Sequence, residues 1–324
     1  MKAVRVHKYG GPEVLTYEDV PDLSPAAGEV LVAMKVIGVN YSDTHFRRGA
    51  RQLTQLPIIP GHDGVGVVAA LGEGVSTAKV GDRVAFVQQH ALGTYKEQMV
   101  LPASDLIPLP PEIDMKLAIA VLHQAQTAHY LAHEAHAIKQ GERVLIHAGA
   151  GGVGSNLVQM AKRLGASVFA TVSTEEKADF VRDLGADEVC LYTQTDFEQE
   201  IKRWTDGKGV DAVFDSIGGD VLPKSQRCLA RKGHLVCYGQ SAGPPPPLQL
   251  IQRGIGSYYM SYHTGADYSE PGPELIARAH EIFRWVREGE LKVHVHKEYA
   301  LSDAAQAHRD IESRSTIGKL LLIP

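Results

Sequence analysis

Apolar and polar positions change rhythm once along the chain, and the change divides it. Through about residue 120 the apolar residues fall in short runs broken by Gly, Pro and Asp. Val30-Leu31-Val32-Ala33-Met34-Lys35-Val36-Ile37 is rich in β-branched residues and stops at Gly38. Gly64-Val65-Gly66-Val67-Val68-Ala69-Ala70 is a glycine-punctuated strand, and Val80-Gly81-Asp82-Arg83-Val84-Ala85-Phe86-Val87 opens on a turn and continues as strand. Short strands between turn residues predict a compact, barrel-like β domain.

From Ala118 to His136 the chain is Ala-rich and free of Pro and Gly, which predicts helix. Beyond 141 two periods alternate. An apolar run at 143–148 is followed by a helix at 155–164 that Gly165 halts, and a strand at 168–172 by a helix at 175–184 that Gly185 halts. Strands at 189–192, 210–216 and 234–238 then alternate with helices at 197–205 and 222–229. Repeated strand–helix units of this length predict a parallel sheet with crossover helices, a doubly wound domain. Pro244-Pro245-Pro246-Pro247 reads as a stiff loop, 274–288 as a helix, and Lys319–Ile323 as a last strand returning to the first domain.

Length agrees with this division, since 324 residues suit two domains of about 100–200 residues each. The net charge of −5 lends no support to a nucleic-acid binder. Three cysteines, Cys190, Cys228 and Cys237, lie far apart and form no CxxC. That excludes a disulfide scaffold and a Cys-rich zinc lobe, and a reducing cytoplasm is the simplest setting. The opening Met1–Val6 alternates like a strand and lacks the apolar core of a signal peptide. No uninterrupted apolar window of about 18 residues exists to span a membrane.

The most informative segment is Val144-Leu145-Ile146-His147-Ala148-Gly149-Ala150-Gly151-Gly152-Val153-Gly154. Gly149, Gly151 and Gly154 satisfy G-x-G-x-x-G, after an apolar strand and at the mouth of an amphipathic helix. Gly149 permits the tight turn, Gly151 lets backbone approach a pyrophosphate, and Gly154 lets helix and sheet pack closely. The phosphates would sit on free amides at the helix N-terminus, among them those of Gly152 and Val153. An NAD site places an acid about 20 residues on, for the ribose hydroxyls. Here the second strand ends Ala170-Thr171-Val172-Ser173-Thr174. Ser173 and Thr174 suit a 2′-phosphate and Lys177 supplies positive charge, so the expected cofactor is NADPH. Glu175 and Glu176 read as first-turn acids pointing elsewhere.

With these motifs in view, the sequence resembles the zinc-free quinone oxidoreductases, the zeta-crystallin-like branch of the medium-chain dehydrogenase/reductases. The resemblance covers nearly the whole chain. It rests on Tyr9-Gly10-Gly11-Pro12-Glu13-Val14-Leu15, on Gly38-Val39-Asn40-Tyr41-Ser42-Asp43, on Ala148–Gly154, and on Glu312-Ser313-Arg314 with Gly318 and Leu321-Leu322-Ile323-Pro324. It implies a GroES-like β-rich catalytic domain at 1–124, completed by 262–324, with a Rossmann NADPH-binding domain inserted at 125–261. It implies a nicotinamide in the cleft between them and a homodimer formed through the Rossmann sheets. By resemblance Lys177, Tyr192 and Arg314 bind the 2′-phosphate, Asn40 and Thr127 lie near the nicotinamide, and Gly239, Gln240 and Ser241 lie near the phosphates and ribose.

Zinc-dependent relatives place a Cys in the segment that here reads Gly38-Val39-Asn40, and a Gly-His-Glu where this chain has Gly61-His62-Asp63. With Asn40 in place of the thiolate and His123-Gln124 in the region of a third ligand, no metal is expected. His62, Asp63 and His123 are the alternative, an unusual metal site. His129 and His133 share a helix face and read as solvated, and His294 and His296 as surface or cleft-border residues.

The expected reaction is hydride transfer from the nicotinamide to a quinone, or to another activated carbonyl or enone. Asn40 would hydrogen-bond the acceptor oxygen or a ribose hydroxyl. Asp43 would orient Asn40 or make a structural turn bond. His45 is a candidate proton donor, because imidazole titrates near neutrality. Arg47, Arg48 and Arg51 form a basic cluster, either an attractor of anionic substrate or solvated surface. Tyr258, Tyr259, Tyr262 and His263 suggest an aromatic-friendly site or interface packing. Two rivals stand beside this reading. An enoyl-thioester reductase of the same superfamily should carry a Tyr just after Arg47-Arg48-Gly49, where this chain has Ala50-Arg51-Gln52. The other rival is a crystallin-like structural or RNA-binding protein that binds NADPH.

Overall fold

The computed structural model describes residues 1–50, 55–88, 92–244, 246–247 and 257–324. The chain forms two compact units, Met1–Gln126 with Ser269–Pro324, and Thr127–Tyr268. The return to the first unit therefore begins after residue 268, not at 262. The cause is the strand Tyr259–Tyr262, which pairs in parallel with Leu229–Cys237, Tyr262 opposite Cys237. The next amide, His263 N–H, still donates to Cys237 O.

The first unit is built on a mostly antiparallel sheet. Its strands lie in the order Val295–Ala300, Lys319–Ile323, Glu29–Val39, Asp63–Leu71, Arg83–Val87 and Ile107–Pro108, with Gln98–Pro102 also on Glu29–Val39. Register shifts at Leu31/Val32 and Met34/Val36 bend the long strand Glu29–Val39, as bulges do. Inward side chains of these strands, among them Val32, Ile37, Phe86, Leu101, Leu320 and Leu322, make one core. The last strand pairs antiparallel with Glu29–Val39, Leu320 opposite Val39, so the chain's end lies beside residue 40. An eight-residue helix, Tyr41–Arg48, follows at once and stops at Gly49, whose φ of 78° is left-handed. Strand periodicity does not foretell this helix, because three of its eight residues are polar yet buried: Asp43, Thr44 and Arg47.

The second unit carries a parallel sheet in the order Glu188–Leu191, Ser167–Val172, Arg143–Ile146, Val210–Asp215, Leu229–Cys237, Tyr259–Tyr262. The helices Gly152–Arg163, Glu175–Asp183, Phe197–Trp204 and Val221–Arg227 connect its strands. Strand order reverses between Arg143–Ile146 and Val210–Asp215, and the carboxyl ends at such a reversal are where ligands bind. The expected run 143–148 ends as strand at Ile146, because Ala148 takes a left-handed φ of 52°. The long Ala-rich helix runs Met115–Tyr130 and then widens into a π turn, Leu131–Ala135. Among the described residues no helix is long and apolar enough to cross a membrane.

Candidate active site

The glycine loop lies in the second unit at the carboxyl end of Arg143–Ile146. Gly149 serves a different end from the tight turn that the spacing suggests, whereas Gly151 and Gly154 fit theirs. The left-handed turn falls on Ala148, whereas a Cβ on Gly149 would press Ala170 Cβ at 2.9 Å. A Cβ on Gly154 would lie 2.2 Å from Ala148 O, so only glycine lets the helix pack this close. Gly151 is different: a Cβ there would meet only Ala148 O, at 3.2 Å, and open space beyond. The helix Gly152–Arg163 has no side-chain cap. Uncapped amides at Gly152, Val153 and Gly154 above an open glycine are a cradle that fits a pyrophosphate.

Beside it, the carboxyl ends of Ser167–Val172 and Glu188–Leu191 bring Ser173, Thr174, Lys177 and Tyr192 together. Thr193 Oγ1 donates to Ser173 O at 3.1 Å and Tyr192 N–H to Val172 O at 3.1 Å, tying the two strand ends. Thr174 caps the helix Glu175–Asp183, its hydroxyl accepting from Lys177 N–H. Glu175 and Glu176 are exposed in the first turn, whereas Lys177 is buried. Burial pushes the Lys177 ammonium below its usual value, and Glu176 opposes that shift. Tyr192 is 41% exposed. Gly239, Gln240 and Ser241 follow the strand Leu229–Cys237 and pack on the loop after Val210–Asp215, Ser241 N–H donating to Ser216 O at 3.1 Å. Thr127 stands half-buried on the helix Met115–Tyr130. Arg314 lies in the other unit, exposed, with a left-handed φ of 60°.

The first unit holds a buried polar cluster around the start of Tyr41–Arg48. Asp43 is fully buried and accepts three bonds: from Asn40 N–H at 2.9 Å, Tyr95 Oη–H at 2.9 Å and His62 Nδ1–H at 2.5 Å. Burial alone would raise its pKa; the His62 and Asn40 donations outweigh it and hold Asp43 below the usual carboxylate value. The chain of bonds continues inward with a fixed sense. Arg47 is donor-only, so His308 Nδ1 accepts from Arg47 Nη1 at 3.0 Å. His308 Nε2–H then donates to Tyr95 Oη at 3.1 Å. Burial lowers His308 to about 4, with Asp43 opposing only in part, so it stays neutral at pH 7.

A second knot lies next to the first. Asn40 Nδ2 donates to Asp63 Oδ1 at 2.6 Å, and the Lys319 ammonium donates to Asn40 Oδ1 at 2.8 Å and to Asp63 Oδ2 at 3.2 Å. Lys319 is 1% exposed and Asp63 fully buried. Gly38 makes room for this carboxylate, since a Cβ there would lie 2.4 Å from Asp63 Oδ2. The His62 ring stacks on His123 at 5.9 Å, and burial lowers His123 to about 4.

These residues do not fit a catalytic zinc. Both Asp63 oxygens, Asn40 Oδ1 and His62 Nδ1 are engaged within the protein, and the Lys319 ammonium, 3.2 Å from Asp63 Oδ2, would repel a dication there. Catalytic zinc needs three protein ligands and an open position. Among the described residues no group of three or more His, Cys, Asp or Glu is arranged to hold a metal ion. The His129–His133 pair is stacked at 4.1 Å, with His133 Nδ1 on His129 O at 2.9 Å.

Asn40 and Asp43, expected from the resemblance, lie together in this cluster, and Lys319, Tyr95 and His308, which are not among the expected residues, join it from distant segments. His45 sits half-buried on the same helix, edge-on to Tyr41 at 5.5 Å. The basic cluster is not a free patch: Arg47 is fully buried, bonded to Glu312 and, through Nε, to Gly10 O at 3.1 Å. Arg48 shares Glu312. Arg51, Gln52 and Pro245 lie outside the described residues. Tyr259 and Tyr262 are exposed on the edge strand of the parallel sheet, while His263 Nδ1 bonds Tyr268 Oη at 2.6 Å. His294 and His296 are exposed.

Comparison with known proteins agrees with this geometry. The family "Alcohol dehydrogenase GroES-like domain" matches residues 26–111, and the family "Zinc-binding dehydrogenase" matches residues 184–322. The chain is 38% identical to a quinone oxidoreductase of Pseudomonas aeruginosa, over 100% of this chain and 99% of that one. It is also 38% identical to a 2-haloacrylate reductase of Burkholderia, over 99% of this chain and 98% of the other. The crystal structure of the Escherichia coli quinone oxidoreductase complexed with NADPH superposes with a TM-score of 0.96 at 37% identity, covering 100% of both chains. The fold is thus a GroES-like domain joined to a parallel-sheet Rossmann domain.

Proposed function

This chain belongs to the quinone oxidoreductase family of the medium-chain dehydrogenase/reductases, and from that premise we propose that it reduces quinones with NADPH and without zinc. NADPH, when bound, supplies the hydride. The chain's own residues bind, orient and protonate. Amides of Gly152, Val153 and Gly154, above Gly149 and Gly151, hold the pyrophosphate. Ser173, Thr174, Lys177 and Tyr192 take the 2′-phosphate together with Arg314, and Gly239, Gln240 and Ser241 border the phosphates and ribose. By the family resemblance Thr127 and Asn40 would meet the nicotinamide. Asn40 presents an amide hydrogen to the acceptor oxygen, Asp43 positions the turn that carries it, and His45 delivers the proton that balances the hydride.

The observation that carries this reading is the strand end Ser173–Thr174 beside buried Lys177, with no acid in the ribose position. An acid there would repel a 2′-phosphate, whereas this set donates to it. A dimer through the Rossmann sheets is supported by the edge strand Tyr259–Tyr262, where Tyr259 is 64% exposed. Three buried free cysteines suit the cytoplasm. The likeness to a 2-haloacrylate reductase favours one further acceptor class, conjugated alkenes next to a carboxyl or carbonyl.

Initial rates with 9,10-phenanthrenequinone and 1,4-benzoquinone, each with NADPH and NADH, test the proposal. NADPH should win in kcat/KM by at least about tenfold, the worth of one charge-assisted bond. Equal use of NADH, or faster turnover of a 2-enoyl thioester than of either quinone, would sink it.

A further inference from the structure

The triangle of Lys319, Asn40 and Asp63 asks why a strand buries an ammonium. Burying a carboxylate and an ammonium costs several kcal/mol per ion before their attraction returns it, and an apolar pair would cost nothing comparable. The neighbours, Leu320, Leu321 and Leu322, show that this strand otherwise carries leucine. The pair also needs special backbone: Gly38 clears space for Asp63, and Gly318, with a φ of 68°, precedes Lys319 where a Cβ would meet His294 O at 2.2 Å. The charged pair is thus flanked by two positions, 38 and 318, where a side chain would clash.

The Lys319 cation and Asp63 together decide how Asn40 points. The two ends of a carboxamide have nearly the same shape, so only their partners choose between them. Lysine donates and cannot accept; an ionised aspartate accepts and cannot donate. With Lys319 on Oδ1 and Asp63 on Nδ2, one orientation satisfies both and the flipped one satisfies neither. One Nδ2 hydrogen is left over. Without the ammonium, Asp63 would be an uncompensated buried carboxylate, and neither it nor Asn40 would keep this arrangement.

We propose that Lys319 is a positioning residue: its buried ammonium compensates Asp63 and fixes the Asn40 carboxamide so that a single amide hydrogen is held for the oxygen of the hydride acceptor. The proposal rests on the reading that Asn40 meets that oxygen.

Three variants separate the two ideas, each followed by quinone kcat and KM, NADPH Kd and the thermal midpoint. Asn40→Ala tests the underlying reading. Lys319→Met removes the cation, and Asp63→Asn with Lys319→Met removes both charges so that no lone ion is buried. In Lys319→Met, kcat/KM for 9,10-phenanthrenequinone should fall about tenfold to a hundredfold, as for loss of a charge-assisted bond, with NADPH Kd unchanged. The double variant should recover the thermal midpoint but not the turnover. Wild-type turnover in the double variant, with Asn40→Ala impaired, overturns this proposal alone and leaves the pair merely structural. Wild-type turnover in Asn40→Ala removes the acceptor role of Asn40 and this proposal with it.

Discussion

The glycine loop of the parallel-sheet unit and the polar cluster of the β-rich unit are built on opposite plans. The loop works with backbone: its phosphate-facing amides are those of three consecutive residues, Gly152, Val153 and Gly154, and the demands of the loop Gly149–Gly154 are steric. The cluster works with side chains: Asn40, Asp43, His62, Asp63, Tyr95, His308 and Lys319 come from five segments, and Lys319 meets Asn40 across 279 positions. The first is written in one short word of sequence. The second exists only once the last strand has paired with Glu29–Val39. A binding device made of backbone depends on which residues lack a side chain; one made of buried charges depends on every partner at once.

That contrast sets the size of mutational effects. Breaking the cluster should be costly for the fold. Arg47→Met leaves His308 Nδ1 and Gly10 O without their donor and Glu312 with Arg48 alone, and unfolding free energy from denaturant titration should drop by about 3–5 kcal/mol. A milder effect comes from pH. His308 has a folded pKa of about 4 against 6.5 when unfolded, so the unfolded chain takes up its proton first as pH falls. The stability it contributes is whole above about 6.5, is lost progressively down to about 4, and amounts to about 3 kcal/mol. His123 acts with the same sign. Unfolding curves at intervals between pH 7 and 4 should show this decline, and His308→Asn should flatten its share.

The nucleotide side should instead lose affinity and keep its fold. Lys177→Ala is expected to weaken NADPH about tenfold to a hundredfold and leave NADH unchanged, read by fluorescence titration. Tyr192→Phe, which removes one exposed hydroxyl, should cost NADPH affinity at most about tenfold. If Lys177→Ala lowered stability as much as Arg47→Met, the contrast between the two plans would collapse.

The same contrast explains what could be read before folding. The parallel sheet, its order of strands and helices, and the loop at 149–154 were legible because each rests on local periodicity and glycine spacing. Asn40 and Asp43 were legible only through resemblance. Arg47 reads in sequence as part of a surface patch, since an arginine in a polar octapeptide carries no local sign that it will be buried. Lys319 was invisible: it opens a strand of leucines, and the carboxylate it meets lies 256 positions earlier. The strand Tyr259–Tyr262 was missed because four residues after a proline-rich loop show no period, and that miss moved the boundary of the return.

One measurement tests the account most directly. Protein dialysed against a chelator, with its metal content verified by mass spectrometry, is assayed for NADPH oxidation by 9,10-phenanthrenequinone. The metal-stripped protein should turn over fully and gain nothing from added zinc. Turnover that vanishes with the metal and returns with zinc would contradict it.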